Sequence, residues 1–396
     1  MKIIGENNLG DRLIPFEISR RNHISLIYRF RQDIEPKYLY YAVDKALEVY
    51  PYMGYNIIKE NGKYFFVDKG LKPPIYYGKK ILKPIVDAED GHLVTINFTN
   101  DQLFVTFSHA LCDGKGAEMF AETILWFYCD KAYGGIEKVP FINIKPSPDF
   151  FKDVVYSENE AKIDFDLNYL YEKSYSLPYI GQLEEDVGII AQVRIDENNI
   201  MDFVSKNHTS PTAALFLLFS ETVVDLYPDE DTDGVISADV MADIRKVMGV
   251  DDTIKNALSM ARVFISREDL VKKDFEENAR NVRNMIKRQI TKECINYKHY
   301  KAYNYVPPTF LMSYTYNRSG INFLEKYVSD FVLTESGTRK IDYAVFNGCF
   351  TINFLFDDVS SKFLDGFLRV LDKYGILYNY TTVRTLKEEE IGRAHV

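Results

Sequence analysis

The chain has 396 residues, a formal net charge of −10, 46% hydrophobic residues, and 27 Phe with 29 Tyr. That length exceeds one ordinary core, so two lobes are expected, and the apolar content excludes a disordered chain. The negative balance, without a dense Lys/Arg block, excludes a sequence-independent grip on nucleic acid, which needs a basic surface that releases counterions.

The N-terminal MKIIGENNLGDRLIPFE lacks the basic start, apolar core and small-residue cleavage site of a signal peptide, and no apolar run reaches membrane-spanning length, so the expected location is cytoplasmic. Cys112, Cys129, Cys294 and Cys349 show neither CxxC spacing nor a zinc pattern and are expected to be reduced thiols. No metal is expected. Residues Ile391 to Val396, with Glu390 at the junction, match a translated short-read sequencing adapter. They are expected to be a non-native tail, and His395 is set aside with them.

In chain order, Asn22 to Phe30 reads as a strand, and Pro36 to Tyr50 as a helix with Pro36 in the first turn and Leu39, Val43 and Leu47 on one face. Short strands follow at Gly54 to Ile58 and Lys63 to Val67. His92 to Phe98 and Gln102 to Phe107 form a hairpin through Thr99-Asn100-Asp101. From Gly116, GAEMFAETILWFY has helical spacing. Between Pro140 and Gln182 the periodicity fades, which places the connection between lobes there. The expected division is a first lobe over 1–145, a crossover over 146–182, a second lobe over 183–390 and the tail over 391–396.

The second half restarts with a strand at Gly188 to Ile195 and a helix near Asn199 to Lys206. Ser210 then suits an N-cap and Pro211 a first helical position, ahead of TAALFLLFSETVVDLY, apolar nearly all round and so expected to be deeply buried. Gly234 to Val240 and Ala261 to Ile265 read as strands, Asp274 to Ile290 as a charged surface helix, Thr309 to Tyr316 and Gly348 to Phe356 as strands, and Ser360 to Tyr374 as a closing amphipathic helix.

The segment Ser108-His109-Ala110-Leu111-Cys112-Asp113-Gly114 carries the most chemistry. It hangs an imidazole on the end of an apolar strand, where side chains are presented rather than packed away, and follows it with Asp-Gly opening a helix. An imidazole titrates near working pH, which suits a general base; an isolated histidine is more often an ordinary loop or core residue, so the context is what singles out His109. Asp113 suits a helix cap that accepts the amide of Lys115 or Gly116. Gly114 is expected to allow close backbone approach or a positive φ.

His109-x-x-x-Asp113-Gly114 resembles the HxxxDG signature of the acyltransferase superfamily that includes chloramphenicol acetyltransferase, BAHD enzymes, alcohol acetyltransferases and nonribosomal peptide condensation domains. Ser237 to Arg245, SADVMADIR, resembles the Asp-x-Arg segment of their second lobe, and NGCFTINFLFDDVSSKFLDGFLRVL their closing strand and helix. Ser108 stands where condensation domains usually carry a second His, and no DFGWG segment is present, which turns the resemblance toward the alcohol acetyltransferase-like branch. It implies an α/β fold, an α+β sandwich of two chloramphenicol acetyltransferase-like lobes, each a mixed sheet flanked by helices, with a tunnel at their interface.

The resemblance further implies His109 as general base, drawing a proton from an acceptor alcohol or amine as it attacks an acyl thioester. No bound cofactor is implied, and acyl-CoA or an acyl-carrier thioester is the co-substrate. Asp113 is implied to be a structural anchor paired with an arginine, for which Arg245 is the candidate, while Gly114 supports the turn. The oxyanion needs a donor, and Ser313 in the hydroxyl-rich strand Thr309 to Tyr316 is the candidate. Two other readings stay open: a condensation enzyme that takes its acyl group from a carrier protein, and a non-catalytic binding or scaffold protein of the same fold. His23, His92, His208 and His299 have ordinary explanations, and no P-loop, GxGxxG or Gly-x-Ser-x-Gly elbow appears.

Overall fold

A computed structural model of the chain describes residues 2–7, 24–78, 84, 91–136, 142–171, 174–175, 189–228, 235–301, 305–314, 322–335, 340–356 and 362–383. The chain forms two units, and each is drawn from separated stretches. Met1–Val155, Asp243–Leu258 and Thr315–Ser336 make the first; Tyr156–Ala242, Ser259–Tyr314 and Gly337–Val396 make the second. Two segments from the latter half of the sequence thus belong with its beginning.

The first unit has a five-stranded sheet in the order β12-β2-β7-β6-β5. Its members are β2 (Ile24–Phe30), β5 (Ile75–Tyr77), β6 (Val94–Phe98), β7 (Gln102–Phe107) and β12 (Val328–Glu335). Every neighbour is antiparallel except β5 with β6. A three-stranded sheet joins β1 (Lys2–Glu6), β4 (Lys63–Asp68) and β3 (Asn56–Glu60) in the order β1-β4-β3. Helix α1 (Pro36–Val49) packs on α2 (Gly114–Tyr133), whose apolar positions run round most of its circumference and are buried accordingly.

The β6-β7 hairpin closes where the sequence placed its turn. Thr99 N donates to Gln102 O at 2.8 Å, and Gln102 N to Thr99 Oγ1 at 3.1 Å. All of β6 and β7 beyond Gln102 is buried. At its far end, Ser108 N donates to Leu93 O at 2.8 Å, a last rung after which the chain leaves the sheet at His109.

In the second unit a seven-stranded sheet runs β10-β9-β11-β13-β14-β8-β15. These are β8 (Ile189–Asp196), β9 (Ile236–Asp243), β10 (Leu258–Ile265), β11 (Phe310–Tyr314), β13 (Lys340–Phe346), β14 (Cys349–Phe356) and β15 (Asn379–Val383). β9, β11 and β13 are parallel neighbours, and β13, β14, β8 and β15 continue antiparallel. Alternate residues of these strands, among them Val240, Met312, Ile341, Tyr343, Ile352 and Phe354, join one apolar core. That core is closed by α5 (Pro211–Leu226), capped by Ser210, and α11 (Lys362–Lys373). A Cβ on Gly366 would meet Leu226 and Thr222 side chains at 3.0–3.1 Å, so this glycine sets the approach of the two helices. The remaining helices are short or lie around this core: α3 (Leu167–Tyr171), α4 (Glu197–Lys206), α7 (Arg267–Lys272), α8 (Phe275–Gln289) and α9 (Lys292–Tyr300), with α6 (Arg245–Met248) and α10 (Asn322–Tyr327) in the first unit. No helix among the described residues is long and apolar enough to cross a membrane.

A buried charge cluster sits between β9 and β10. Arg262 Nε donates to Asp239 Oδ1 at 2.6 Å, Nη2 to Oδ2 at 3.2 Å, and the Tyr305 hydroxyl donates to the same carboxylate at 2.9 Å. Nearby, Lys298 Nζ donates to the carbonyl of Met260 at 2.5 Å and to Gln289 Oε1 at 3.1 Å. Burial pulls its ammonium down to about 8. The folded state therefore holds fewer protons than the unfolded chain from about pH 8 up to the ordinary lysine range, and unfolding free energy rises with pH across that window. Urea titrations at stepped pH are expected to show this rise in the native protein and its loss in Lys298→Met.

Candidate active site

His109 lies in a tight turn that begins one residue past the sheet. The Ser108 hydroxyl accepts from Ala110 N at 3.1 Å, Ser108 O accepts from Leu111 N at 3.0 Å, and Asn7 Nδ2 donates to Ala110 O at 3.0 Å. The turn is thus satisfied by local bonds and one distant clamp, and it leaves the imidazole half-buried with the Phe107 ring edge-on at 6.3 Å.

Asp113 has no solvent exposure, and its carboxylate accepts three hydrogen bonds. Its Oδ1 accepts from Gly116 N at 2.8 Å, which caps α2, and from Arg245 Nη2 at 2.7 Å. Its Oδ2 accepts from Ala257 N at 2.9 Å. Arg245, itself 3% exposed, spreads the rest of its fork over the same segment. Nε donates to Thr253 O at 2.7 Å, Nη2 to Lys255 O at 2.9 Å, and Nη1 to Asp243 Oδ1 at 3.1 Å. Burial by itself would lower the Arg245 guanidinium, but Asp113 and then Asp243 hold it above its ordinary value. It is a cation at any working pH. Together the pair folds residues 243–257 into a fixed loop across the N-terminus of α2.

That loop delivers Asn256 to His109. Asn256 Nδ2 donates to the His109 carbonyl at 2.7 Å, and Asn256 Oδ1 lies 3.3 Å from His109 Nδ1. Asn256 is 147 residues away in sequence, and no periodicity or motif in the chain points to it. The only available signal was indirect: an arginine paired with Asp113 has to bring its own neighbours along.

Gly114 shows neither of the features expected of it. It is the first residue of α2, with no positive φ and with open space where a Cβ would stand. The close approach falls two residues later. A Cβ on Gly116 would lie 1.9 Å from Ile254 O, with the carbonyl carbon at 2.7 Å. Backbone on both sides leaves no flexible atom to yield, so Gly116→Ala is expected to displace the Arg245–Asn256 loop and to cost about 1–3 kcal/mol by overpacking. Chemical denaturation measures the loss, and an unchanged midpoint would mean that the loop moves freely.

Ser313 belongs to the second unit, on β11, in register with Asp342 of β13. The Asp342 carboxyl is fully buried, and burial pushes it up while Lys340, with Nζ at 3.3 Å, and then Ser313 counter that rise. Among the other histidines, His208 lies in the turn after α4 with φ 47°, and His299 stacks on Tyr156 with ring centroids 3.8 Å apart. His23, His395 and the tail lie outside the described residues.

No protein-family model and no curated protein matches the sequence. Solved structures do match. Polyketide synthase associated protein 5 from Mycobacterium tuberculosis superposes with a TM-score of 0.65 at 14% identity, covering 93% of this chain and 98% of that one. F. graminearum TRI101, complexed with coenzyme A and deoxynivalenol, superposes at 0.64 with 12% identity, covering 96% and 100%. The epimerization domain from the third module of tyrocidine synthetase B gives 0.62 at 13%, covering 89% and 90%. Near-complete coverage of both partners at such low identity means that what is shared is architecture, and this chain has the mixed α/β fold of the chloramphenicol acetyltransferase-like and condensation-domain proteins that its HxxxDG segment resembles.

Proposed function

We propose that this protein is an acyltransferase that moves an acyl group from a thioester donor, acyl-CoA, to the hydroxyl or amine of a small acceptor, with His109 as general base. The observation that carries the proposal is the His109 turn itself: a half-buried imidazole at the end of a strand buried from Leu103 to Phe107, aimed by Asn256 and by the Asp113–Arg245 pair. The ion pair supports the reading by fixing the segment that carries Asn256, whose side chain reaches both the carbonyl and the ring of His109. The fold adds support, because TRI101, which shares it, is described in complex with coenzyme A and deoxynivalenol.

In the proposed step, neutral His109 takes the proton of the acceptor as its oxygen or nitrogen attacks the thioester carbonyl. The tetrahedral intermediate collapses with cleavage of the carbon–sulfur bond, and the imidazolium returns the proton to the departing thiolate. Asp113 and Arg245 touch neither reactant; they are positioning residues. The oxyanion donor that the sequence suggested, Ser313, stays within the proposal.

Release of free thiol from acetyl-CoA and longer acyl-CoA donors, measured with the purified protein over a panel of primary alcohols and amines, tests the reading. Acceptor-dependent thiol release with formation of the matching ester or amide is expected. Turnover with acyl-carrier donors alone would move the assignment to carrier-dependent condensation, and no transfer from either donor class would overturn it.

A further inference from the structure

We infer that Asn256 fixes the tautomer of His109, holding the ring proton on Nδ1 so that Nε2 carries the lone pair. This rests on the reading of His109 as a base, and it says which ring atom does that work and why.

The orientation of the Asn256 amide is set by chemistry. The group 2.7 Å from the His109 carbonyl oxygen has to be a donor, because a carbonyl only accepts, and an amide oxygen at that distance would set two acceptors against each other. The NH2 therefore faces the main chain, and Oδ1 is the atom left 3.3 Å from His109 Nδ1. An amide oxygen also only accepts. Nδ1 must then be the donor, and since a neutral imidazole has one N–H, the lone pair belongs to Nε2.

In water a histidine side chain favours the opposite tautomer, with its proton on Nε2, so a His109 left to itself would carry its lone pair mostly on Nδ1, turned toward the backbone. Asn256 reverses that preference. It holds through the reaction as well, because an imidazolium still donates from Nδ1 to the same oxygen. The peptide groups on either side of Asn256 are themselves pinned, Lys255 O by Arg245 Nη2 at 2.9 Å and Ala257 N by Asp113 Oδ2 at 2.9 Å. The buried ion pair thereby reaches the imidazole through one side-chain amide.

An amide also suits this position better than a carboxylate. Aspartate at 256 could accept from Nδ1 but would face the His109 carbonyl with a second acceptor, and its charge would stabilise the imidazolium. The two substitutions therefore separate tautomer from basicity. Asn256→Ala is expected to release the tautomer and to lower kcat by about 10²-fold or more with KM little changed. Asn256→Asp is expected to keep the proton on Nδ1 while raising the imidazole pKa, which shifts the acid limb of the kcat/KM profile to higher pH.

The deciding experiment is long-range 1H–15N NMR of the full-length protein with 15N-histidine labelling, above the imidazole titration, with His109→Gln to assign the resonances. The native protein is expected to show His109 as the Nδ1–H form, Asn256→Ala to move it toward Nε2–H, and Asn256→Asp to retain Nδ1–H. An Nε2–H native form overturns the inference, as does an Nδ1–H form that persists in the alanine variant. Should Asn256→Ala not fold, the native spectrum together with the Asn256→Asp titration decides. Because these spectra need no turnover, a protein without transferase activity but with this tautomer response would fail the function proposed above and leave the inference standing, and the converse result would do the reverse.

Discussion

His109→Ala is expected to lower kcat by about 10²–10⁴-fold while leaving stability within about 1 kcal/mol of the native protein. The first figure follows from losing the only group proposed to take the acceptor proton during attack. The second follows from the turn, whose bonds at Ser108, Ala110 and Leu111 are made without the ring, and from the Asn256 bond to the His109 carbonyl, which alanine keeps. KM for the donor is expected to stay near its native value, since a proton acceptor acts on the transition state more than on binding. Steady-state rates and a urea curve on one preparation check both halves. Native-like transfer rates in the variant would remove His109 as the base, and a biological activity unchanged by the substitution would favour a non-catalytic protein of this fold.

Breaking the Asp113–Arg245 pair is expected to have the largest effect on stability. Asp113→Ala or Arg245→Ala each leaves a buried charge without its partner, a situation that costs about 3–5 kcal/mol. Arg245 still has half-exposed Asp243 at 3.1 Å, so removing Asp113 is the milder change for the arginine; Arg245→Ala leaves Asp113 with only backbone amides from Gly116 and Ala257. The double substitution should cost less than the sum of the two, because the second removes the charge that the first left stranded. Strict additivity in a denaturation cycle would mean the two side chains act independently. Activity in the single variants is expected to fall further than stability explains, since the loop that presents Asn256 loses its anchor.

Much of this architecture was legible in the order of residues. Apolar spacing located α1, α2 and α11 to within a few positions, Ser210 and Pro211 marked the start of α5, the charged run Asp274 to Ile290 gave α8, and turn chemistry at Thr99-Asn100-Asp101 located the β6-β7 hairpin. β12 and β13 escaped. Lys340 and Asp342 sit at positions of β13 that the fold buries on both faces, so charged residues stand where a core strand would be apolar, and β12 pairs with β2 from about 300 residues away. α9 was missed because KECINYKHY has little amphipathic period, although Thr291 caps it through Cys294 N. At the site, His109, Asp113 and Arg245 carried recognisable signals. Gly114 was credited with a crowding that belongs to Gly116, and Asn256 gave none, because its value lies wholly in where the 243–257 loop ends up.

The interleaving of the two units has a consequence for how such a gene can be cut and recombined. A fragment ending in the expected 146–182 connector would encode only four strands of the five-stranded sheet, without β12, and a sunken Asp113 carboxylate with no counter-charge. The first unit is thus completed only late in synthesis, when residues far downstream emerge to fill it, and the connector that looks like a natural joint is a poor place for evolution or an engineer to exchange halves.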